Sequence, residues 1–328
     1  MDEFELIDRL VRLFDESGAS LPDGVLVVPN GDDAAVVRPS SGLSTLTTDA
    51  LVDGVHFALD LCSLQDAGFR SIAVNLSDLA AMGATPTGLL VSLILPPSLA
   101  DCDVLEIGRG IACASARFDV PVIGGNITRT SGPTVISITA CGDQRGPCGP
   151  ISGARIGDGL WVSGHPGDGA IGLRLLQSHP LIAERFPRLV SAWRRPQPRL
   201  DLIPLFHRGL VDAAIDISDG LLADLGHICK ASGILAAVDK GAIPVSQDAI
   251  QAARMAGIPD LDRLVLTGGD DYQLLIAAPP SSEPFMIDAG LARIGTFEPG
   301  AGVEIVESGV RNRFVGNRGW LHRQDRDS

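Results

Sequence analysis

The 328-residue sequence lacks several features that mark whole classes of protein. Its six cysteines include no CxxC pair, so the sequence indicates neither a disulfide framework nor a structural zinc site. The longest apolar runs, such as Leu89–Leu95, are far shorter than the ~18–20 residues that span a bilayer. The acidic N-terminus also has no basic region typical of a signal peptide. We therefore expect a cytoplasmic protein with no membrane partner.

Basic residues are also scarce. The chain has 26 lysines and arginines against 40 aspartates and glutamates, which gives a formal net charge of −14. The phosphate backbone of a nucleic acid would be repelled by most of such a surface, so we expect no nucleic-acid partner. An anionic substrate would need local help from metal ions or from a few placed arginines.

Helical and strand patterns alternate along the N-terminal half, which predicts a mixed α/β layer structure after an amphipathic opening helix. The segment from Gly142 to Gly159 is rich in glycine and proline and has no periodic pattern, so it is the best candidate for a domain boundary. The sequence therefore predicts two domains, residues 1–147 and 148–328. Each is long enough to bury its own apolar core.

Aspartates recur where predicted strands end or apolar helices pass, usually beside glycine, serine or threonine. A single aspartate in a turn is most often a helix cap or part of an Asx turn. The set is more informative than any of its members. It comprises Asp32, Asp33, Asp49, Asp78, Asp216, Asp219, Asp270 and Asp271.

Asp78 is the most informative of these aspartates, because the predicted helix around it has apolar or small side chains on nearly every face. Asn75 and Asp78 are its strongly polar members, and their i, i+3 spacing puts them on one face. An ionised carboxylate there is costly unless an arginine, N–H donors or a cation compensates it. A buried aspartate that caps a neighbouring loop is the alternative. The other acidic motifs and their hydroxyl neighbours favour shared Mg²⁺ ions, and hence polyphosphate chemistry with a bound nucleotide.

The usual phosphate-binding motifs are absent, since the sequence contains no GxxxxGK[ST] segment and no HRD or DFG set. One dinucleotide-like pattern occurs at Gly167, Gly169 and Gly172 after a predicted strand. The acidic residue that should follow at the end of a second parallel strand is missing. We therefore favour a close-packed turn between a strand and a helix over an NAD site.

Two further segments could carry chemistry. The segment Gly124–Arg129 follows a predicted strand and could hold an anion through backbone N–H groups and the arginine, with a plain hairpin turn as the alternative. His56 follows Asp49 by seven residues. A lone histidine is more often structural than catalytic.

Six strings occur in order along the chain: GDDAAVV, TTDALVDGVHF, AVNLSDLAAMGATP, IGGNITR, AIDISDGLLADLGHI and LTGGDDYQL. Together they resemble the thiamine-monophosphate kinase family of the aminoimidazole-ribonucleotide-synthetase-like, or PurM-like, superfamily. The resemblance implies a two-domain α+β fold and a homodimer formed through the sheet of the N-terminal domain. It also implies ATP-dependent phosphorylation of thiamine monophosphate to thiamine diphosphate by direct in-line transfer. Several Mg ions would assist this transfer, with no general base.

The resemblance also assigns roles to individual residues. The implied metal ligands are Asp32, Thr47, Thr48, Asp49, Asp78, Asn126, Asp216 and Asp219. ATP contacts fall on Gly125, Asn126 and Ser218, and contacts with thiamine monophosphate fall on His56, Asp270 and Trp320.

The sequence departs from the family pattern at four places. Asn126 stands where a metal-binding aspartate is usual, and Asp270 stands where glutamate is common. Ile151 replaces an expected ATP-contacting arginine, and the terminal GWLH differs from the family's GYDHF. Two alternatives therefore stay open. One is another ATP-dependent PurM-like enzyme with a different small substrate, and the other is a non-catalytic paralogue that binds nucleotide or thiamine phosphates.

Overall fold

The computed structural model of the protein describes residues 3–20, 25–28, 36–38 and 42–313. Two of the predicted site residues, Asp32 and Trp320, lie outside the described residues. The chain forms two compact units. The first contains the described residues within Met1–Leu79 and Ala84–Arg145, and the second those within Ala80–Gly83 and Gly146–Ser328. Within the described ranges, no helix is both long and apolar enough to cross a bilayer.

Among the described residues, the N-terminal part of the chain contributes three helices and six strands. The helices are α1 (Glu3–Asp15), α2 (Leu64–Ala81) and α3 (Asp101–Phe118). The strands are β1 (Leu26–Val28), β2 (Val36–Val37), β3 (Ser44–Val52), β4 (Thr85–Leu95), β5 (Val122–Arg129) and β6 (Val135–Asp143). The predicted opening helix is confirmed, since Leu6, Leu10 and Phe14 are buried and Leu10 packs against Gly108 of α3.

The main sheet of the first unit has four strands in the order β3-β6-β4-β5. Strands β4 and β5 are parallel, and the other two pairs are antiparallel. The register aligns Asp49 with Ile138, Ile138 with Val91, and Val91 with Gly125. Strands β3 and β5 are therefore the opposite edges of this sheet.

The two faces of this sheet differ in burial, as the alternation of side chains along each strand requires. Leu89, Leu93 and Ile136 on the inner face are at most 1% exposed. On the outer face, Leu46 and Leu90 are 67% and 40% exposed. The first unit thus keeps its apolar core on one side of the sheet and presents large apolar side chains on the other.

As far as residue 313, where the described part of the chain ends, the C-terminal part contributes eight helices, seven strands and three short 3-10 turns. The helices are α4 (Asp168–Ser178), α5 (Pro180–Ala183), α6 (Pro187–Arg194), α7 (Ile203–His207), α8 (Leu221–Ser232), α9 (Gln247–Ala256), α10 (Leu261–Thr267) and α11 (Glu283–Asp288). The strands are β7 (Gly159–Val162), β8 (Ala213–Asp216), β9 (Leu235–Asp239), β10 (Leu274–Ala278), β11 (Ala292–Glu298), β12 (Gly302–Glu307) and β13 (Val310–Arg313). The strands form one sheet in the order β13-β12-β9-β11-β7-β10-β8.

The second sheet is covered on both faces. In β10, Leu275 and Ala277 enter one apolar cluster, whereas Leu274 and Ile276 enter another. Helix α8 packs in the first cluster, and Phe206 of α7 packs in the second. Burial on both faces explains why β10 is a continuous apolar run rather than an alternating one.

Candidate functional site

Asn75 and Asp78 both contact strand β3 from helix α2, as their shared helical face predicts. The fully buried Asn75 accepts a hydrogen bond from the backbone N–H of Asp49 at 2.9 Å and donates to the carbonyl of Ser71 at 2.9 Å. Asp78 Oδ2 accepts a bond from Thr47 Oγ1 at 2.6 Å. Helix and strand are therefore tied together where Thr47, Asp49 and Asp78 meet.

The carboxyl group of Asp78 is electrostatically unfavourable when ionised. Its pKa is raised to about 6, mainly by burial and to a smaller extent by the negative charge of Asp49, while the Thr47 hydroxyl acts in the opposite direction. Asp78 bonds to a side chain on β3 rather than to a loop amide, so the loop-capping alternative does not describe this contact. Two carboxylates and a hydroxyl form the hard oxygen donor set that suits Mg²⁺.

Thr48 faces away from this group, because successive residues of a strand point to opposite sides. Its Oγ1 donates to the carbonyl of Ile138 at 2.9 Å and accepts from Thr139 Oγ1 at 3.2 Å. The structure brings together Thr47, Asp49 and Asp78 but not the hydroxyl of Thr48. Only the backbone of Thr48 stays available as a ligand on that side.

The expectation of a loop or hairpin at Gly124–Arg129 is wrong, because these residues form most of strand β5. The anion-binding role of Arg129 is not supported either. Its guanidinium donates to the carbonyls of Pro96 and Leu99 at 3.1 and 2.8 Å and to Asp101 at 3.2 Å. Arg129 thus holds the segment that leads into α3.

Asn126 and Asp49 lie on opposite edge strands of the same sheet. Three strand spacings separate these edges, which amounts to about 14 Å. Ligands of a single Mg²⁺ lie about 2 Å from the ion and hence within about 4 Å of one another. Asp49 and Asn126 of one chain therefore cannot bind the same ion.

His56 lies in the turn that follows β3. Its Nδ1 accepts a hydrogen bond from the backbone N–H of Val52 at 3.2 Å, and Gly54 provides the positive φ of +80° that the turn requires. Acceptance at Nδ1 places the proton of a neutral imidazole on Nε2, which can donate. The histidine is therefore held in one orientation at the end of the strand that carries Asp49.

In the second unit, a loop between β8 and α8 carries Asp216, Ser218 and Asp219. Asp224, in the first turn of α8, accepts bonds at one oxygen from the backbone N–H groups of Ser218, Asp219 and Gly220, at 3.0 to 3.1 Å. Asp224 was not among the sequence-predicted residues. An aspartate in the first turn of a helix is the signal that could have found it.

Asp224 and its neighbours form a compact polar group. Burial raises the pKa of Asp224 to about 7, although the three N–H donors act against this. Potential ligand atoms of Asp219, Asp224 and His227 lie within 4.8 Å of one another. The structure therefore adds two polar neighbours to Asp219, which the resemblance assigns as a metal ligand.

The loop before β10 lies beside the loop after β8. The backbone N–H of Asp270 donates to the carbonyl of Ser218 at 2.9 Å, and that of Tyr272 donates to the carbonyl of Ile217 at 2.8 Å. Two of the predicted site residues, Ser218 and Asp270, are thus adjacent in space although 52 residues separate them. The remaining second-unit ligand candidate, Asp216, ends β8 and is 7% exposed.

Asp271 explains the dinucleotide-like glycine pattern. Its two carboxylate oxygens accept bonds from the backbone N–H groups of Gly167 at 2.6 Å and Gly169 at 3.0 Å, at the start of α4. A Cβ on Gly172 would lie 2.0 Å from the carbonyl of Leu189. Strand β7 is antiparallel to both of its neighbours, whereas a dinucleotide fold requires parallel strands. The expected close-packed turn is confirmed.

We expect Asp271→Asn to lower the free energy of unfolding by about 2–4 kcal/mol, because an amide offers one acceptor oxygen to two buried N–H donors. Burial raises the pKa of Asp271 to about 8, although the two N–H donors act in the opposite direction. The amide removes this cost of ionisation, but leaving one buried N–H without an acceptor costs more. Urea denaturation measures the change. The exposed Asp288→Asn is the matched control and should differ from wild type by less than about 0.5 kcal/mol. Equal effects of the two variants would contradict this role for Asp271.

Comparisons with known proteins identify the family of the chain. The family described as AIR synthase related protein, N-terminal domain, matches residues 31–143. The thiamine-monophosphate kinase of Salmonella typhimurium strain LT2 is 37% identical over 300 residues, which cover 89% of this chain and 87% of that protein. The chain belongs to the thiamine-monophosphate kinase family. The predicted family and its kinase class are thereby confirmed.

Solved structures of thiamine-monophosphate kinases match almost the whole chain. The crystal structure of the enzyme from Stenotrophomonas maltophilia K279a has a TM-score of 0.80 at 36% identity and covers 93% of this chain and 96% of that one. The structure of AaThiL complexed with AMPPCP and TMP has a TM-score of 0.77 at 32% identity, with coverages of 98% and 97%. The PurM-like fold with mixed helices and sheets is therefore confirmed.

Proposed function

We propose that this protein transfers the γ-phosphate of ATP to thiamine monophosphate, giving ADP and thiamine diphosphate. The observation that carries the proposal is the likeness to AaThiL, whose solved complex contains AMPPCP, an ATP analogue, together with TMP. That likeness extends over 98% of this chain. The relatives from Salmonella typhimurium and Stenotrophomonas maltophilia are likewise thiamine-monophosphate kinases.

The proposed transfer is in line, with an oxygen of the substrate phosphate attacking the γ-phosphorus while the bond to the ADP oxygen breaks. The attacking phosphate is already an anion at neutral pH, so the reaction needs no strong general base. Catalysis then consists of aligning two polyanions and neutralising their charge. We accordingly assign no catalytic base in this chain.

The acidic groups described above fit Mg²⁺. We propose Thr47, Asp49 and Asp78 as ligands in the first unit and Asp216 and Asp219 in the second. Asp32, outside the described residues, the backbone of Thr48, and Asn126 of a second copy of the chain complete the proposed set. When bound, Mg²⁺ would neutralise phosphate charge and polarise the transferred phosphoryl group. The raised pKa of Asp78 supports a cation there, because a nearby positive charge offsets the cost of ionising a buried carboxyl group.

The remaining contacts follow the family assignment. We propose that Ser218, Gly125 and Asn126 contact ATP. His56 and Asp270, with Trp320 outside the described residues, contact thiamine monophosphate. The fixed Nε2–H of His56 suits a hydrogen-bond acceptor such as phosphate, and the carboxylate of Asp270 suits a cationic ring or its amino group.

We further propose that the protein acts as a homodimer in which each site takes ligands from both chains. Asp49 and Asn126 lie on opposite edges of the sheet, so a single chain does not bring them to one ion. Asn126 lies on the same outer face as the exposed Leu90, since Ser92 pairs with Asn126 in register. Thr47 and Asp49 lie on the inner face of β3, so they can meet Asn126 of a second copy only at the open edge of that strand. A two-fold axis that packs two outer faces together and sets β5 of one copy beside this edge of the other meets that condition.

We expect Asn126→Asp to lower the Mg²⁺ concentration for half-maximal turnover by roughly three- to tenfold. The variant replaces a neutral amide with a carboxylate, and an added negative charge among the ligands strengthens cation binding. A magnesium titration at fixed ATP measures the shift. The control Asn312→Asp introduces the same charge at an exposed position on β13 and should leave the midpoint unchanged. Identical midpoints for wild type and Asn126→Asp would remove Asn126 from the metal site.

The proposed function is tested by offering the purified protein Mg-ATP with thiamine monophosphate or free thiamine and separating the products by chromatography. We expect thiamine diphosphate and ADP in equal amounts from thiamine monophosphate. A protein that binds Mg-ATP but forms no thiamine diphosphate would favour another small substrate. Binding of thiamine phosphates without any ADP release would favour the non-catalytic paralogue.

A further inference from the structure

Two donors from different parts of the second unit hold the carboxylate of Asp270. The indole Nε1–H of Trp193, at the end of α6, donates to Oδ2 at 3.1 Å. The hydroxyl of Tyr272 donates to Oδ1 at 3.1 Å. Each oxygen therefore has its own donor, so rotation of the carboxylate would break both bonds.

Both donors are themselves immobilised by packing. Trp193 is 2% exposed and Tyr272 is 8% exposed, so neither ring can swing into solvent without opening the core. Helix α6 lies close against α4, where Gly172 leaves room for the carbonyl of Leu189. An indole N–H can only donate, so the bond from Trp193 has a fixed direction.

The backbone around Asp270 is also held in an unusual conformation. Asp270 and Tyr272 have φ values of +68° and +53°, in the left-handed region that most residues avoid. Residues in this conformation are strained and persist where the surrounding structure fixes them. Here the bonds from their N–H groups to Ser218 and Ile217 supply that restraint.

We propose that Trp193 and Tyr272 are positioning residues that fix the carboxylate of Asp270 where the substrate's cationic heteroaromatic ring is recognised. This inference rests on the proposed function, in which Asp270 contacts thiamine monophosphate. Aspartate has a shorter side chain than the glutamate common at this position, so its reach depends more strongly on where its carboxylate is held. Trp193 reaches that carboxylate from an element 77 residues away.

A carboxylate that is fixed before the substrate arrives loses little side-chain freedom on binding. Its donors therefore affect the affinity for thiamine monophosphate and not the phosphoryl-transfer step. Trp193→Phe and Tyr272→Phe each remove one donor and keep an aromatic ring. For each we expect the KM for thiamine monophosphate to rise roughly three- to tenfold, with kcat and the KM for ATP within about twofold of wild type. Trp161→Phe is the matched control, since Trp161 is also 2% exposed but lies on β7.

A double-mutant cycle with Asp270→Gly separates positioning from general packing, because glycine tolerates the left-handed backbone while removing the carboxylate. In the Asp270→Gly background, Trp193→Phe should not change the KM for thiamine monophosphate further. Where turnover is too slow to give a KM, the Kd for thiamine monophosphate is measured by calorimetry instead and should also stay unchanged. An undiminished effect in the Asp270→Gly background, or an unchanged KM in both single variants, would overturn the inference. If wild type forms thiamine diphosphate, such a result removes only the inference. If wild type forms none, the proposed function fails with it.

Discussion

We expect Asp78→Asn to lower turnover by roughly 10²–10³-fold and yet to raise the free energy of unfolding of the metal-free protein. The amide keeps an acceptor oxygen for the Thr47 hydroxyl, so the contact between α2 and β3 survives. It removes the charge that burial and Asp49 make unfavourable. For a partly buried group whose pKa is displaced by about two units, the gain is about 1–2 kcal/mol at pH 7.5.

The sign of this effect depends on pH. The pKa of Asp78 is about 6 in the folded protein against 3.8 as the ordinary value, so the folded state binds the proton more tightly. The contribution of Asp78 to the free energy of unfolding of the wild type is therefore highest below about pH 4. It falls as the pH rises from about 4 to about 6 and is constant at its lowest value above that. Urea denaturation in EDTA at pH 5 and pH 7.5 should show the advantage of Asp78→Asn growing with pH.

The matched control for this prediction is Asp119→Asn, an exposed residue at the end of α3 whose left-handed backbone suits asparagine equally well. It should change neither turnover nor stability appreciably. Added Mg²⁺ should stabilise wild type more than Asp78→Asn, because the variant lacks one of the proposed carboxylate ligands. An Asp78→Asn protein less stable than wild type in EDTA at pH 7.5 would contradict the electrostatic account of this site.

The second large effect is recovery of activity in mixed dimers. We expect Asp78→Asn and Asn126→Arg to be nearly inactive on their own, the latter because its positive charge would lie beside the metal. A dimer with one chain of each variant should have about half the wild-type activity, since one of its two sites combines Asp78 and Asn126 from unmutated positions. Coexpression with two different affinity tags isolates this heterodimer.

Two controls make the result unambiguous. A doubly tagged dimer of two Asp78→Asn chains should stay inactive. A dimer of wild type with Asn126→Arg should also have about half the wild-type activity. An inactive mixture of Asp78→Asn with Asn126→Arg would mean that both residues serve the same site within one chain, and the shared-site proposal would be wrong.

Local patterns in the sequence were sufficient for some of the site. The helical spacing of Asn75 and Asp78 predicted a shared polar face. In the structure both side chains of that face form hydrogen bonds with β3. Strand alternation also implies that Thr47 and Thr48 point to opposite sides. A family assignment that names both residues does not state which atoms are used, and only the structure distinguishes hydroxyl from backbone.

The error at Gly124–Arg129 has a physical cause. Consecutive glycines usually mark a turn, yet Gly125 lies within a strand. Glycine is needed there because a Cβ would come 2.3 Å from the carbonyl oxygen of Val91 on the neighbouring strand. Close approach between neighbouring backbones leaves the same sequence signal as a turn. The consequence is large, because it moves Asn126 from a loop to an edge strand.

The contacts that fix Asp270 could not be read from local patterns. Trp193 lies 77 residues away and approaches Asp270 only because α6 packs on α4. Side-chain pairs between distant segments have no periodicity that a single sequence reveals. The left-handed backbone of Asp270 and Tyr272 likewise follows from hydrogen bonds to a loop more than 50 residues earlier.

The most direct test of metal-assisted transfer to thiamine monophosphate is phosphorus NMR of the wild-type protein with ATP, MgCl₂ and this substrate, repeated with excess EDTA. The account predicts that ADP and thiamine diphosphate grow at equal rates with Mg²⁺ and that neither grows when EDTA removes it. Growth of ADP without thiamine diphosphate, or equal growth in EDTA, would contradict the account.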